Sequence, residues 1–352
     1  MNHPSPTEIL LSEFELSPAV TLSNRLAMAP MTRSMAGEGL APTPAMAEYY
    51  ARRAAAGLLI TEGAIVRADG QGYPDVPGIF TDAQVEGWGE VTRRVHEEEG
   101  RIFLQLWHVG RVSHPFYLDG EFPIAPSAVP LEGRVPRSGG LEYGTPRAMS
   151  EDEIHDLVEA YADGAANALA AGFDGVEIHG ANGYIIDQFL HHHTNRRDDA
   201  YGGSPAAMSR FVLEIVDAVV ARTDAGRVGI RLSPGAYFNM APHADDAEVF
   251  RHLLGEFEER SLAYVHVGIF ERTTVFDNLG GTAENFLREN YSGTLIGCGG
   301  FTPESAVAAV ADGAVDLTAF GRSFIANPDL VARIRAGQPL EPYDQEMLTT
   351  LD

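Results

Sequence analysis

The sequence predicts a single (β/α)8 barrel, on two observations. Eight short runs rich in Val, Ile and Leu recur along the 352 residues, with longer stretches of helical spacing between them. The residues able to do chemistry gather at the downstream ends of those runs, where such barrels carry their active sites. A barrel of this kind takes roughly 250 residues or more as one domain. A chain of this length therefore needs no second domain, and the expected organisation is one unit over 1–352.

The strand runs, in order, are "RLAMAP" (25–30), "GLLITEG" (57–63), "RIFLQLWH" (101–108), "GVEIHG" (175–180), "VGIRLS" (228–233), "LAYVHVG" (262–268), "TLIGCGG" (294–300) and "DLTAFGR" (316–322). Between them lie helix candidates such as "PAMAEYYARRAA", "EDEIHDLVEAYADGAANALAA" and "MSRFVLEIVDAVVART". Two parts stand outside the repeat. "EILLSEFELSPAVTLSN" reads as a short hairpin closing the bottom of the barrel. Residues 109–149, rich in Pro and Gly, form an insertion after strand three, long enough to suggest a functional loop or lid.

Composition removes several classes of function. The net charge of −25 opposes phosphate backbones and argues against nucleic acid as a partner. No apolar run of about 18 residues is present, so no membrane span is expected. The opening "MNHPSPTEILLSEFEL" lacks a basic and then apolar leader, so the expectation is a soluble, cytoplasmic protein. Cys298 is the one cysteine, which excludes an internal disulfide or a four-cysteine cluster and reads as a packing residue. There is no lysine at all. Schiff-base, pyridoxal-phosphate and Walker A chemistry all fall with it.

The strand ends deliver the candidate site. Strand one ends in Pro30, Met31, Thr32 and Arg33, strand two in Glu62 and Gly63, and strand three in Gln105, Trp107 and His108. Strand four leads into His179, Asn182 and Tyr184, and strand five carries Arg231. Strands seven and eight end in Gly299–Gly300 and Gly321–Arg322, tight turns before helices that suit a phosphate, with Arg322 as the fork. A phosphate on one side, with Gln105 and Arg231 below the mouth, suits a flat polar ring such as flavin mononucleotide (FMN), with Arg231 favouring its reduced, anionic form. These residues support a phosphorylated cofactor more firmly than flavin in particular. A metal site is not expected, since strand one ends in "MAPMTR" without paired histidines.

Longer motifs make the chain resemble the old yellow enzyme family of FMN-dependent ene-reductases along almost its whole length. They are "NRLAMAPMTRS", "MAEYYARRAAAGLLITEG", "GQGYPDVPGIF", "RIFLQLWHVGRVSHP", "AGFDGVEIHGANGYIIDQFL", "NRRDDAYGGS", "RVGIRLSP" and "AFGRSFIANPDL". The likeness is greatest to the N-ethylmaleimide reductase and oxophytodienoate reductase branches. It implies that His179 and Asn182 hydrogen-bond the carbonyl or nitro oxygen of an α,β-unsaturated substrate, and that Tyr184 donates a proton to its α-carbon. It also implies that Thr32 bonds the flavin O4, that Gln105 and Arg231 hold the pyrimidine edge, and that Pro30, Met31, Gly63, Gly299, Gly300, Gly321 and Arg322 complete the cradle. Trp107 and Tyr73 match positions lining the substrate pocket. No G-x-G-x-x-G fingerprint follows any strand, so NADPH or NADH is expected to enter the substrate's own pocket and to act in alternation with it. The partners expected are small molecules only, with the chain a monomer or homodimer.

Three segments depart from the family pattern. "HHHT" (191–194) reads as a solvated loop, "GIFERTTVFDNLGG" after strand six fits poorly, with no role for Phe270 or Arg272, and the tail "PLEPYDQEMLTTLD" lacks the glycine-rich aromatic ending. Among other classes, an iron–sulfur dienoyl-CoA reductase is excluded by the single cysteine and a Schiff-base aldolase by the missing lysine. A flavin-binding sensor or storage protein without turnover is the remaining alternative.

Overall fold

Eight parallel strands close on themselves in the computed structural model, which describes residues 6–352. The reading of the N-terminus as lacking a leader falls partly on residues 1–5, outside the described residues. The barrel strands are β1 (Leu26–Met28), β2 (Leu58–Ile65), β3 (Ile102–Trp107), β4 (Gly175–Gly180), β5 (Val228–Leu232), β6 (Tyr264–Val267), β7 (Leu295–Gly297) and β8 (Leu317–Phe320). Each lies within or within two residues of its expected run. Closure comes from β8 pairing with β1, Thr318 beside Leu26 and Ala319 beside Ala27. Every residue of β2, β3, β4 and β5 is buried, which explains why these strands read as continuous apolar runs instead of alternating.

The surrounding helices are α1 (Pro44–Ala51), α2 (Asp82–Glu97), α3 (Glu151–Ala170), α4 (Pro205–Arg222), α5 (Asp246–Arg260), α6 (Ala283–Asn290), α7 (Pro303–Ala311) and α8 (Leu330–Ala336). Their starts are written in the sequence. Thr81 and Gln84 exchange side-chain and backbone hydrogen bonds at the head of α2, as do Ser150 and Glu153 at the head of α3, each pair satisfying two otherwise orphaned N–H groups. On α2, Trp88, Val91 and Val95 fall on one face and are fully buried. Each such side chain stabilises the packing by about 1.5–3 kcal/mol. Val91→Asp would place a charge in that layer and undo it. Among the described residues no helix is long and apolar enough to cross a membrane.

The N-terminal hairpin forms as expected, Phe14–Ser17 pairing antiparallel with Val20–Leu22. It lies at the N-terminal end of the strands, where a methyl group added to Gly226, just before β5, would come within 2.9 Å of the Ser17 Cβ. The insertion at 109–149 is less open than a plain loop. Ile124–Ala125 pairs with Arg147–Ala148, and Arg134 bridges to Glu142. The segment after β6 folds back as a small hairpin, Val275–Phe276 against Gly281–Thr282.

Candidate active site

Two connected hollows open at the C-terminal ends of the strands. One, of about 480 Å³, is walled by Pro30, Met31, Arg231, Phe270, Cys298, the Gly299–Gly300 turn, Gly321 and Arg322. The other, of about 360 Å³, is walled by Thr32, Gln105, Trp107, Arg137, His179, Asn182 and Tyr184. Pro30, Met31, Arg231, Phe270, Arg322 and Tyr343 belong to both, so the two are arms of one cavity. Thirteen of the fifteen cofactor and substrate residues expected from the sequence line it, all but Gly63 and Tyr73.

Strand β4 and the turn after it present the polar trio. Asn182 sits in the left-handed region (φ 60°), a conformation that Asn tolerates better than most residues. Its backbone N–H donates to Ser233 Oγ at 3.0 Å, while its side-chain Nδ2 donates to Gly268 O at 3.1 Å. One Nδ2 hydrogen remains for a ligand. His179 is buried with no hydrogen bond at Nδ1. Burial, with the charges of Arg231 and His266 nearby, holds its imidazole well below the ordinary value, so it is neutral at pH 7. Tyr184 packs edge-on against both His179 and Trp107, with ring centroids 5.0 Å away in each case. Burial, then its neighbour Tyr73, raise the phenol well above its usual value and keep it protonated.

Two expected residues stand differently. Tyr73 lines neither arm; its hydroxyl lies 2.8 Å from that of Tyr184 and so reaches the cavity only through it. Gly63 also lines neither arm. It is covered by the Trp107 indole, and an added Cβ would come within 2.6 Å of that ring. Its lack of a side chain makes room for Trp107.

The far arm matches the demands of a phosphate. Gly299 and Gly300 are consecutive left-handed glycines (φ 116° and 84°), and a Cβ on Gly299 would meet the Arg272 backbone at 2.7 Å. Arg322 is exposed there, beside Tyr343. At the floor, Arg231 Nε lacks a hydrogen-bond partner, and Gln105 points its amide into the same space. A buried Arg231 Nε left without a partner, beside a glycine turn and an exposed guanidinium, fits a flat, phosphate-bearing ring, so FMN can be held here.

Sequence reasoning missed much of the rim. Arg137 of the insertion lines the cavity and donates to Arg33 O at 2.9 Å. Arg33 in turn donates to the carbonyls of Met347 and Thr350, and Arg53 to Asp352 O, which seats the tail and brings Tyr343 and Leu348 into the walls. Glu62 Oε2 accepts the backbone N–H groups of Arg33 and Ser34; burial pushes this carboxyl up to about 7 against those bonds. The tail that departs from the family pattern thus still reaches the cavity. Phe270 lines both arms, and Arg272 pairs with Glu284 at 2.6 Å.

The histidine run is not a solvated loop. His191 is fully buried between Asp187 (3.2 Å) and Asp246 (2.9 Å), and His192 Nδ1 meets the other oxygen of Asp246 at 2.9 Å. Asp187, four residues upstream, and Asp246, 55 positions downstream and invisible to a local reading, draw the run inward.

Comparison with known proteins decides the family. The family model for the NADH:flavin oxidoreductase / NADH oxidase family matches residues 13–341. The chain belongs to that family. This flavin oxidoreductase is 41% identical to a probable flavin mononucleotide-dependent alkene reductase of Leishmania infantum, over 92% of this chain and 89% of that one. Among solved structures it is similar to morphinone reductase in complex with tetrahydroNAD (41% identity, TM-score 0.88, 96% of this chain and 93% of that one). It is also similar to the old yellow enzyme homologue of Zymomonas mobilis (36% identity, TM-score 0.91, covering 97% and 98%). The flavin oxidoreductase uses FMN with a nicotinamide reductant, as the resemblance implied.

Proposed function

We propose that this flavin oxidoreductase reduces the activated C=C bond of enones, maleimides or nitroalkenes, with His179, Asn182 and Tyr184 as the residues that act on substrate. The observation that carries the proposal is the single cavity joining a phosphate-type arm to an arm walled by an imidazole, an amide and a phenol. Pro30, Met31, Thr32, Gln105, Arg231, Gly299, Gly300, Gly321 and Arg322 hold the cofactor, which supplies a hydride to the β-carbon when bound and reduced.

His179 and Asn182 donate to the substrate's carbonyl or nitro oxygen and draw electron density from the double bond. His179 does this as a neutral imidazole, and which nitrogen carries its proton follows from the ligand it meets. Tyr184 gives its hydroxyl proton to the α-carbon, and the bond to Tyr73 holds that hydroxyl in place. Trp107 and Phe270 exclude water from the arm where this happens. Substrate and reductant take turns in that arm. The chain works as one cytoplasmic unit on small molecules, as a monomer or homodimer.

The test is an anaerobic visible titration of the purified protein with NADPH or NADH and then with cyclohexenone. Bleaching of a yellow chromophore and its return on adding the enone are expected. A colourless protein that FMN cannot reconstitute would overturn the assignment. A yellow protein that bleaches and ignores every activated alkene would favour the sensor or storage alternative.

A further inference from the structure

A buried ion pair, Glu177 with His266, lies beside the cavity floor and plays no part in the chemistry above. Strand register sets His179, Arg231 and His266 side by side across β4, β5 and β6, and sets Gln105 beside Glu177 across β3 and β4. Glu177 and His266 are both fully buried, and neither lines the cavity. His266 Nδ1 meets Glu177 Oε2 at 2.8 Å, and Gln105 Nε2 donates to Glu177 Oε1 at 2.7 Å. An ion pair this deep is a poor source of stability, because desolvation consumes most of what the attraction gives. Its location offers another reason for it.

Arg231 has no carboxylate of its own. Among the described residues none lies within ion-pair distance of it; its Nε makes no hydrogen bond and its Nη2 reaches only Cys298 Sγ, at 3.7 Å. Glu177 is the nearby anion able to cancel that charge, and His266 occupies it. We propose that Glu177 and His266 are positioning residues for the FMN site. As a self-neutralising pair they tie the Gln105 amide nitrogen, leaving its oxygen for the cavity, and they keep the Arg231 guanidinium unneutralised at the cavity floor. Burial would lower the His266 imidazole and raise the Glu177 carboxyl, yet each is moved the opposite way by the other's charge, which favours the ionised form of both. The pair carries no net charge, so the field felt above it is that of Arg231, which favours the negative charge a flavin takes on when reduced.

This inference rests on the FMN reading of the cavity. It is tested with His266→Gln, Glu177→Gln and the double variant, measuring FMN affinity in the oxidised and reduced states and the midpoint potential of the bound flavin. His266→Gln leaves Glu177 free to oppose Arg231. The expected result is a lower potential and at least a tenfold loss of affinity for reduced over oxidised FMN, about 1.4 kcal/mol. The double variant, with both charges gone, is expected to return to within threefold of wild type. A purely structural pair would make the double variant as poor as the single one, and that outcome, or an unchanged ratio in His266→Gln, overturns the proposal. Should His266→Gln fail to fold, Glu177→Gln decides alone. An unchanged or raised ratio supports the proposal, and a tenfold fall overturns it, since removing the carboxylate cannot weaken the Arg231 field. A wild-type protein that takes up no FMN would overturn the cofactor reading itself, and is told apart because failure of the pair alone leaves the wild type yellow.

Discussion

His179 and His191 stand twelve positions apart on one connection, both buried, and their surroundings are opposite. His179 faces the cavity, with Nδ1 unpartnered and its imidazole pushed down to the neutral form. His191 is held at both ring nitrogens by carboxylates; burial alone would lower it, but Asp187 and Asp246 raise it to about 10. One histidine is left unsatisfied where a ligand arrives, and the other is satisfied where none can. The two regions are also joined, because Asp187 Oδ2 accepts Gly183 N at 2.8 Å and so anchors the turn that presents Asn182 and Tyr184. Of these two imidazoles, the satisfied one serves the scaffold and the unsatisfied one faces the site.

The largest effect expected from breaking this contrast is on the satisfied side. Asp246 accepts from His191, from the backbone and ring of His192, and from His243 N. Asp246→Ala takes from a buried imidazolium one of its two carboxylates, with three further hydrogen bonds, and should cost about 3–5 kcal/mol in a urea unfolding titration. A loss below 1 kcal/mol would show that the cluster is not a structural anchor. On the unsatisfied side, Tyr184→Phe should slow alkene reduction by about 10²–10⁴-fold while flavin reduction by the nicotinamide keeps its rate. Stopped-flow measurement of the two half-reactions separates these, and equal slowing of both would remove Tyr184 from the proton-donor role.

The histidines should also titrate differently. The folded His191 value lies above the unfolded one of roughly 6.5, so its contribution is complete below about 6.5 and fades as pH rises towards about 10. The wild type should therefore lose stability across that window at up to about 1.4 kcal/mol per pH unit, and His191→Gln should flatten the slope. An identical slope in the variant would assign the effect to other groups. His179→Ala should leave stability nearly intact and weaken phenol or enone ligands by about 10–100-fold, the worth of one or two hydrogen bonds. Tyr73→Phe should be smallest. It removes the bond to the Tyr184 hydroxyl and should slow proton transfer by about tenfold or less, with ligand affinity as the control that stays put.

The fold and the cavity floor were legible because each depends on local pattern. Val/Ile/Leu runs place the strands, and polar residues in the last turns of buried barrel strands gather below the C-terminal mouth, so Gln105, His179 and Arg231 follow once β3, β4 and β5 are placed. The rim was not legible. Arg33 and Arg53 seat the tail through backbone carbonyls, which carry no residue identity to read. Arg137 reaches the cavity from an insertion whose path no periodicity describes. The histidine run was misread for a related reason, since its partner Asp246 lies 55 positions downstream of His191 and looks like an ordinary helix-start aspartate. The close packing at Gly63 was hidden in the same way, since the Trp107 indole that its missing side chain admits comes from the neighbouring strand.

The tail's seat on Arg33 has a consequence for synthesis. Arg33 adjoins Thr32, near the beginning of the chain, and its partners Met347 and Thr350 emerge more than 300 residues later. The strand that closes the ring, Leu317–Phe320, also emerges late, and it pairs with Leu26–Met28 from the opposite end of the chain. Neither the ring nor the wall built on Arg33 can close before residues 317–350 have been made. Shelter for a cofactor therefore waits on the joining of the two ends of the described chain.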